Sequence, residues 1–157
     1  MSDLTLRRAT PADARLVLDL IQAAFAEYRG RLKPDSSAYG ETPEGIAGQL
    51  VGRQGAAIAE RDGVAVGCVL YRDKGEDLYF GRLSVLPDHR RSGVAEALVA
   101  AVEAEARARG ARGVVLGVRI ALTGNQRLFT RLGYLEISRE AHPGFSEPTS
   151  INMRKAL

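Results

Sequence analysis

Only one cysteine, Cys68, is present in the sequence, and this scarcity excludes an internal disulfide. Cys68 lies within the apolar run 64–70, where a cysteine typically acts as a small buried hydrophobe with an inert thiol. The sequence also lacks metal-ligand spacings, a Ser-His-Asp arrangement and the Gly-Lys-Ser/Thr signature of a nucleotide-hydrolysing phosphate loop. We therefore expect no metal site, and the chemistry must be sought in other residue types.

No apolar run approaches the length of a membrane span, and no basic leader followed by an apolar segment begins the sequence. We expect a cytoplasmic protein with no membrane partner. The 157 residues are 45% hydrophobic and 26% charged, which suits one domain, 1–157, with a full core. The net charge of +3 favours binding of small anions. The sequence contains no basic run with interleaved aromatics, the pattern expected of a nucleic-acid-binding surface, so we expect no nucleic-acid partner.

Periodicity and turn signals predict the element order β-α-α-β-β-β-α-β-α-β-β. Thr10-Pro11 and Thr42-Pro43 predict helix starts, with Thr as the N-cap and Pro as the first helical residue. Asp62-Gly63 strongly indicates a hairpin turn. The strand–helix–strand unit at 78–118 is predicted to be a parallel crossover. The fold class is therefore α+β, with one mixed, mostly antiparallel sheet of about seven strands and helices on both faces.

The segment 83–98 reads as a buried strand, a short basic turn and an amphipathic helix. The amides of a helix's first turn have no intrahelical acceptor, and the helix dipole places partial positive charge there. Arg90 and Arg91 add full charges, while Gly93 and Ala95 are small enough to let a ligand approach the backbone. The segment therefore predicts a cradle for a phosphate-bearing cofactor.

Two motifs make the chain resemble the GCN5-related N-acetyltransferase (GNAT) superfamily. Residues 90–95, Arg-Arg-Ser-Gly-Val-Ala, match the family's acyl-CoA pattern of Arg or Gln, two residues, Gly, one residue, and Gly or Ala. Residues 125–134 are similar to its closing pattern of Asn, an aromatic residue, and then Leu-Gly-aromatic. Alone the first motif is weak, but both occur in the right order among the predicted elements along essentially the whole chain.

The resemblance implies acetyl-CoA as the cofactor, with its pyrophosphate on the amides of residues 91–95. It also implies that the pantetheine arm lies along the strand near Leu83 and Val85 like an added strand. One backbone amide there would stabilise the oxyanion formed on attack. Asn125 would contact the cofactor from the far side, although it also suits a helix N-cap. The expected cofactor-binding residues are Leu83, Ser84, Val85, Arg90, Arg91, Ser92, Gly93, Val94, Ala95, Asn125 and Phe129.

The implied reaction is direct attack of a neutral amine on acetyl-CoA, which requires a base and an acid. Many family members have a Tyr acid four residues before the final Gly, but this chain has Phe129 there, which cannot donate a proton. Tyr134 is the next aromatic, at a position that the family usually packs in the core. Catalytic candidates are Tyr79, predicted by alternation to share a face with Leu83 and Val85, and also Glu76 and His142.

The sequence does not identify the acceptor amine. The residues expected to border it are Tyr28, Tyr39, Glu41, His142, Phe145 and Glu147. Their carboxylates and aromatics suit a cationic amine such as a polyamine, an aminoglycoside or a lysine. Phe129 leaves open a non-catalytic acyl-CoA sensor, and the basic isoelectric point alone suggests a nucleic-acid-binding domain. The resemblance also makes a homodimer possible, since relatives are often dimers joined through the last strands or the sheet edge. Ile151 and Met153 could lie in such a contact, although core packing explains them equally well.

Overall fold

The computed structural model describes residues 3–157, and its elements follow the predicted order. Their bounds are β1 (Leu4–Arg8), α1 (Ala14–Phe25), α2 (Pro43–Gly48), β2 (Gly55–Arg61), β3 (Val64–Lys74), β4 (Asp77–Val85), α3 (Val94–Ala108), β5 (Gly113–Arg119), α4 (Thr123–Arg131), β6 (Leu135–Glu140) and β7 (Ser150–Ala156). Short 3-10 turns precede and follow α1 and also occupy the loops before α2 and after β4. Within the described chain, no helix is long and apolar enough to cross a membrane.

The strands form one sheet in the order β1-β2-β3-β4-β5-β7-β6. The pairing of β4 with β5 is parallel, and the other neighbouring pairs are antiparallel. This confirms the predicted mixed sheet of seven strands and its parallel crossover through α3. The hairpin between β2 and β3 turns at Asp62 and Gly63, which both have positive φ, as a two-residue hairpin of type I′ requires.

Two apolar cores lie on opposite faces of the sheet. Helices α3 and α4 cover the first face, where Leu98, Val102 and Phe129 pack on inward-facing strand residues. Helices α1 and α2 cover the second face, where Ile21 and Ile46 lie over the middle of the sheet. The prediction of helices on both faces is confirmed.

Strands β4 and β5 pair over only three residues and then diverge. Leu78, Tyr79 and Phe80 lie opposite Val114, Val115 and Leu116, and neither strand continues the ladder beyond them. The later part of β4 therefore has no strand partner on the β5 side. An extended ligand can use the free backbone groups of such an edge.

A β-bulge at Arg82 lies directly beyond this point. Ser84 is opposite Cys68 and Gly81 is opposite Leu70, so that two residues of β4, Arg82 and Leu83, oppose the one residue Val69. Arg82 has φ +54°, a left-handed conformation that non-glycine residues rarely adopt. One extra residue reverses the alternation of side chains between the two faces.

The bulge corrects the predicted orientation of Tyr79. Leu83 and Val85 pack on the core beneath α3, together with Phe80, whereas Tyr79 lies on the face of α1 and α2. The prediction that Tyr79 shares a face with Leu83 and Val85 is therefore wrong, because simple alternation does not survive the extra residue.

The last two strands show where the sheet ends and what it buries. Ile151 and Met153 of β7 are buried in the core beneath α3, which identifies them as packing residues. All six residues of the edge strand β6 are exposed, including Leu135 and Ile137. Cys68 is fully buried, and burial raises the pKa of its thiol to about 12, so that the predicted inert role is confirmed.

A capping arrangement at Asp13 fixes the start of the first helix. Asp13 accepts hydrogen bonds from the backbone N–H of Thr10 at 2.8 Å and from both terminal nitrogens of Arg7 at 3.0 Å. These donors lower the pKa of Asp13 to about 2. The carboxylate therefore ties the end of β1 to the turn that begins α1.

Replacing Asp13 by Asn should lower the free energy of unfolding by about 1 kcal/mol at pH 7. Because the folded pKa is depressed, the contribution is present above the ordinary value near 3.8 and is lost as the pH falls through about 2. Urea unfolding of both proteins across this range measures the difference, which should shrink on acidification. Asp19→Asn, in an exposed helix pair, is the matched control and should change little.

Candidate active site

A cavity of about 620 Å³ lies where β4 and β5 diverge. Its walls come from the later part of β4, the turn after it, the first turn of α3, the helix α4 and the end of α1. Nine of the eleven predicted cofactor-binding residues line it: Leu83, Val85, Arg90, Arg91, Gly93, Val94, Ala95, Asn125 and Phe129. The structure thus brings together two motifs that are about thirty residues apart in the sequence.

The amino-terminal end of α3 opens into this cavity without a protein cap. Gly93 is the N-cap residue with φ +86°, and no side chain hydrogen-bonds to the first turn. The amides of Val94, Ala95 and Glu96 have no backbone acceptor in the described chain. A Cβ at Gly93 would meet no atom within 4 Å, so the glycine serves the left-handed backbone rather than a tight contact. Unpartnered amides with a helix dipole favour an anion.

The two arginines of the turn have different roles. Arg90 forms an ion pair with Glu27 and donates to the carbonyls of Ala24, at 3.1 Å, and Val85, at 3.4 Å. Its charge is therefore shared with a carboxylate, and the side chain holds the end of α1 against the end of β4. Arg91 is exposed, has φ +58° and forms no ion pair within residues 3–157. Arg91 is the guanidinium available to a bound anion.

Two predicted cofactor residues do not place their side chains in the cavity. Ser84 is buried on the opposite face of β4, where its hydroxyl donates to the carbonyl of Arg82 at 2.9 Å. Ser92 donates to the carbonyl of His89 and accepts from Arg61 at 3.0 Å. Ser92 thus ties the turn between β4 and α3 to the end of β2, which is a structural role that the motif does not reveal.

Phe129 is buried in an aromatic cluster at the floor of the cavity. Its ring meets those of Phe80 and Tyr134 edge to face, with centroids 5.8 and 6.3 Å apart. The hydroxyl of Tyr134 is fully buried and donates to Glu103 at 2.9 Å, and burial raises the pKa of this phenol well above its ordinary value. Tyr134 is therefore a core residue and is not available to replace the missing acid.

Tyr28 contributes the hydroxyl of the cavity lining. It follows α1 in a short 3-10 turn, and its ring packs edge to face on Phe25 at 6.1 Å. Burial and then the charge of Glu27 raise the pKa of Tyr28, so that the phenol keeps its proton at neutral pH. From the sequence, Tyr28 is expected only to border the acceptor amine. The sequence feature that could have pointed to this cavity is the position of Tyr28 directly after the end of α1 and before Arg29-Gly30.

A second cavity, of about 240 Å³, lies on the face of α1 and α2. Its lining is mostly polar and consists of Ser37, Glu41, Gln49, Gln54, Leu70, Tyr71, Arg72, Tyr79, Gly81 and Arg82. Because of the bulge, Tyr79 and Gly81 line this cavity, whereas Leu83 and Val85, at the same alternating spacing, line the larger one. Tyr79 is therefore separated by β4 from the cavity that holds the predicted cofactor residues.

Two arginines hold the loop 34–41 over the end of the sheet. Arg82 donates to Ser37 at 2.8 Å and to Glu41 at 3.1 Å. Arg119, at the end of β5, donates to the carbonyls of Pro34, at 2.8 Å, and Asp35, at 3.3 Å. Burial and the neighbouring charge of Arg82 lower the pKa of Arg119. Neither arginine was singled out from the sequence, because its partners lie more than forty residues away.

The remaining predicted residues are dispersed. Glu76 is exposed in the turn before β4, where it pairs with Arg112 at 3.5 Å, and it lines neither cavity. The backbone N–H of His142 donates to the hydroxyl of Thr149 in the loop before β7. Burial and the charge of Arg119 lower the pKa of His142, so that the imidazole is neutral at pH 7. Tyr39 donates to the carbonyl of Phe25 at 2.6 Å, and Phe145 and Glu147 are exposed. The two acceptor-side carboxylates, Glu41 and Glu147, are thus not brought to one cavity.

Comparisons with known proteins agree with this geometry. The family model described as the acetyltransferase (GNAT) family matches residues 17–134. A search of curated proteins gave no significant match to the sequence. Because the family model covers most of the chain, the protein belongs to the GNAT family of acetyltransferases.

Solved structures show the same fold. The PaiA N-acetyltransferase of Thermoplasma acidophilum, in complex with coenzyme A, is 14% identical, with a TM-score of 0.82 over 99% of each chain. A GCN5-related N-acetyltransferase from Rhodopseudomonas palustris is 26% identical, with a TM-score of 0.80 over 100% of this chain and 98% of its own. The ribosomal-protein-S18-alanine N-acetyltransferase of Escherichia coli is 18% identical, with a TM-score of 0.79 over 98% and 94%.

Replacing Gly93 by Glu should abolish coenzyme A binding while the protein stays folded. The left-handed backbone costs a side chain about 1 kcal/mol, and the new carboxylate would compete with phosphate for the amides of α3. The rise in melting temperature on adding coenzyme A measures binding and should be lost.

Gly52→Glu is the matched control for this variant. Gly52 also has a left-handed φ, +68°, and open space around a new Cβ, but it lies outside the lining of the larger cavity. We expect an undiminished shift with coenzyme A in this control. An undiminished shift in Gly93→Glu would show that the anion does not bind at the start of α3.

Proposed function

We propose that the protein, as one domain spanning 1–157, transfers the acetyl group of acetyl-CoA to a primary amine by direct attack. The observation that carries this proposal is the uncapped start of α3, which opens into the larger cavity beside an unpaired strand edge. Membership of an acetyltransferase family supports the transfer reaction. The acetyl donor and the amine acceptor are the parts that the experiments below test.

The cavity residues fit the donor in charge and in shape. The amides of Val94 and Ala95 and the guanidinium of Arg91 face the cavity and suit a pyrophosphate. The apolar side chains of Leu83, Val85 and Phe129 suit an uncharged arm. Acetyl-CoA would supply an activated acetyl thioester at this place. The unpaired backbone of β4 would orient the arm as an additional strand would.

Tyr28 is our candidate for the proton donor that Phe129 cannot provide. It lines the larger cavity, and as a phenol, whose pKa burial and the charge of Glu27 raise further, it is protonated at neutral pH. A phenol in this state can protonate a leaving group. On the acceptor side, His142 is neutral because its pKa is lowered, and this form can accept a proton from the amine. His142, Tyr79 and Glu76 are all weaker candidates than Tyr28, since Tyr79 lines only the second cavity and the other two line neither.

Replacing Tyr28 by Phe should lower kcat about a hundredfold without changing the thermal shift given by acetyl-CoA. Release of free thiol from acetyl-CoA measures turnover with a reactive amine. Tyr39→Phe is the control, because that hydroxyl donates to the carbonyl of Phe25 and the residue lines neither cavity. An unchanged kcat in Tyr28→Phe would exclude Tyr28 as the donor.

Phe129→Tyr tests the same role from the other direction. The new hydroxyl would stand at the position where many family members have their acid, and the ring already lines the cavity. In the Tyr28→Phe background, this second change should restore much of the lost turnover. A double variant that remains as slow as Tyr28→Phe would show that a phenol at position 129 does not take over the role of Tyr28.

A non-catalytic acyl-CoA sensor is the alternative, and the specific observation that favours it is Phe129 in place of an acid. Thiol release with a broad amine panel separates the two functions. If acetyl-CoA raises the melting temperature but no amine releases thiol, the sensor is correct. If coenzyme A at millimolar concentration gives no shift, both proposals fail, and salt-dependent retention of DNA or RNA would then favour the nucleic-acid-binding alternative.

A further inference from the structure

The second cavity lies against the same stretch of β4 as the larger one but on the opposite face. Gly81 and Arg82 line the second cavity, and Leu83, the next residue, lines the larger one. A molecule in the second cavity is therefore beside the point where β4 parts from β5. In a two-substrate reaction whose donor lies along Leu83, this is the place from which an acceptor approaches.

The charges of the second cavity are predominantly positive. Arg72 and Arg82 line it, against the one carboxylate of Glu41. Glu41 is already engaged, since it accepts from Arg82 at 3.1 Å and from the amide of Gln49 at 3.2 Å. The carboxylate is therefore neutralised within the protein and is not free to bind an ammonium group.

Arg72 is a cation without an acidic partner. Its guanidinium lies over the ring of Tyr79, 4.6 Å from the centroid, and it forms no ion pair in the part of the chain that the structure describes. The ammonium of Lys74 is 5.5 Å from the same ring and is likewise without an ion pair there. A guanidinium that stacks on a ring keeps its N–H donors at the edge of its plane, and because Arg72 lines the cavity, these donors are available to a ligand there.

Positive charge is also present near the second cavity at the end of β5. Arg119 donates to backbone carbonyls of Pro34 and Asp35, which carry no net charge, and it lies close enough to Arg82 for that charge to lower its pKa. An acceptor with several ammonium groups would meet Arg72, which has no acidic partner, and the ion pair of Arg82 with Glu41, with the further positive charge of Arg119 close to Arg82. This arrangement disfavours the polyamine or aminoglycoside that the sequence suggested.

The cavity is also small. Its volume of about 240 Å³ corresponds to roughly eight water molecules at about 30 Å³ each. That is room for a molecule the size of a free amino acid, and the polar amides of Gln49 and Gln54 and the hydroxyl of Ser37 suit such a ligand.

We propose that the acceptor is a small amino acid-like molecule whose carboxylate is bound by Arg72 and Arg82, with its amine directed to the opening between β4 and β5. This inference rests on the proposed acetyl transfer and deepens it by naming the substrate class. Arg72 supplies the uncommitted charge, and Arg82, which also holds Glu41 and Ser37, supplies a second guanidinium at the bulge. A carboxylate held by two guanidiniums is a common recognition arrangement.

The first experiment compares acceptors that differ only in the carboxylate. Free amino acids are assayed for thiol release from acetyl-CoA beside the corresponding amino-acid amides and the amines that lack the carboxyl group. We expect the free acids to have kcat/KM at least about tenfold higher than either counterpart. Equal or better rates with the amides or the decarboxylated amines would overturn the inference.

The second experiment changes the uncommitted charge. Arg72→Gln should raise KM for the free acid about tenfold with little change in kcat, because a ground-state contact is lost. The same variant should leave the amide unaffected, so that the preference for the acid shrinks. Arg15→Gln, an exposed arginine on α1, is the matched control and should keep the full preference. An unchanged preference in Arg72→Gln would show that Arg72 does not bind the acceptor.

The outcomes separate this inference from the proposed function. If peptide amines or polyamines release thiol and free amino acids do not, acetyl transfer stands and the carboxylate subsite is wrong. If acetyl-CoA raises the melting temperature but no amine of any class releases thiol, the transfer reaction fails, and the carboxylate subsite is then decided by binding alone. Saturable binding of a free amino acid in the presence of coenzyme A, lost in Arg72→Gln, supports the subsite without relying on turnover.

Discussion

The extra residue in β4 at Arg82 determines how the two sides of the sheet are used. Without it, Tyr79 and Leu83 would project to the same face, and the strand would have one continuous lining. With it, Leu83 and Val85 face the cavity below α3, and Tyr79 and Arg82 face the cavity below α1. The left-handed φ of Arg82 is an unfavourable conformation, held in place by the pairing with β3 and by the bonds to Ser37 and Glu41.

The larger cavity depends on a second constraint, the early end of pairing between β4 and β5. The ladder stops at Phe80, and the crossover helix α3 begins close to where the two strands have separated. The uncapped amides of that helix, the free edge of β4 and the aromatic floor at Phe129 therefore face one space. Arg90 holds the end of α1 against this space through Glu27 and the carbonyl of Ala24.

The sequence predicted the element order, the sheet and many of the residues that line the larger cavity, because these follow from local patterns. Turn residues, apolar periodicity and the Gly93 motif act over a few positions and leave readable signals. The bulge left none, since nothing in the residues around Arg82 marks a left-handed backbone. The role of Arg90 depends on Glu27, and the neutralisation of Glu41 depends on Arg82, so both emerge only when distant segments meet. Ser84 shows the same limit, since its face depends on the bulge.

The position of the bulge divides β4 into two stretches that can change independently. Tyr79, before the bulge, lines one cavity, and Leu83 and Val85, after it, line the other, yet all three belong to a single strand of nine residues. Substitutions at Tyr79 could thus accumulate without disturbing the lining at Leu83 and Val85. Such a partition would let descendants of one ancestral chain diversify one half of the strand while the other half is retained, and it gives the protein engineer the same freedom.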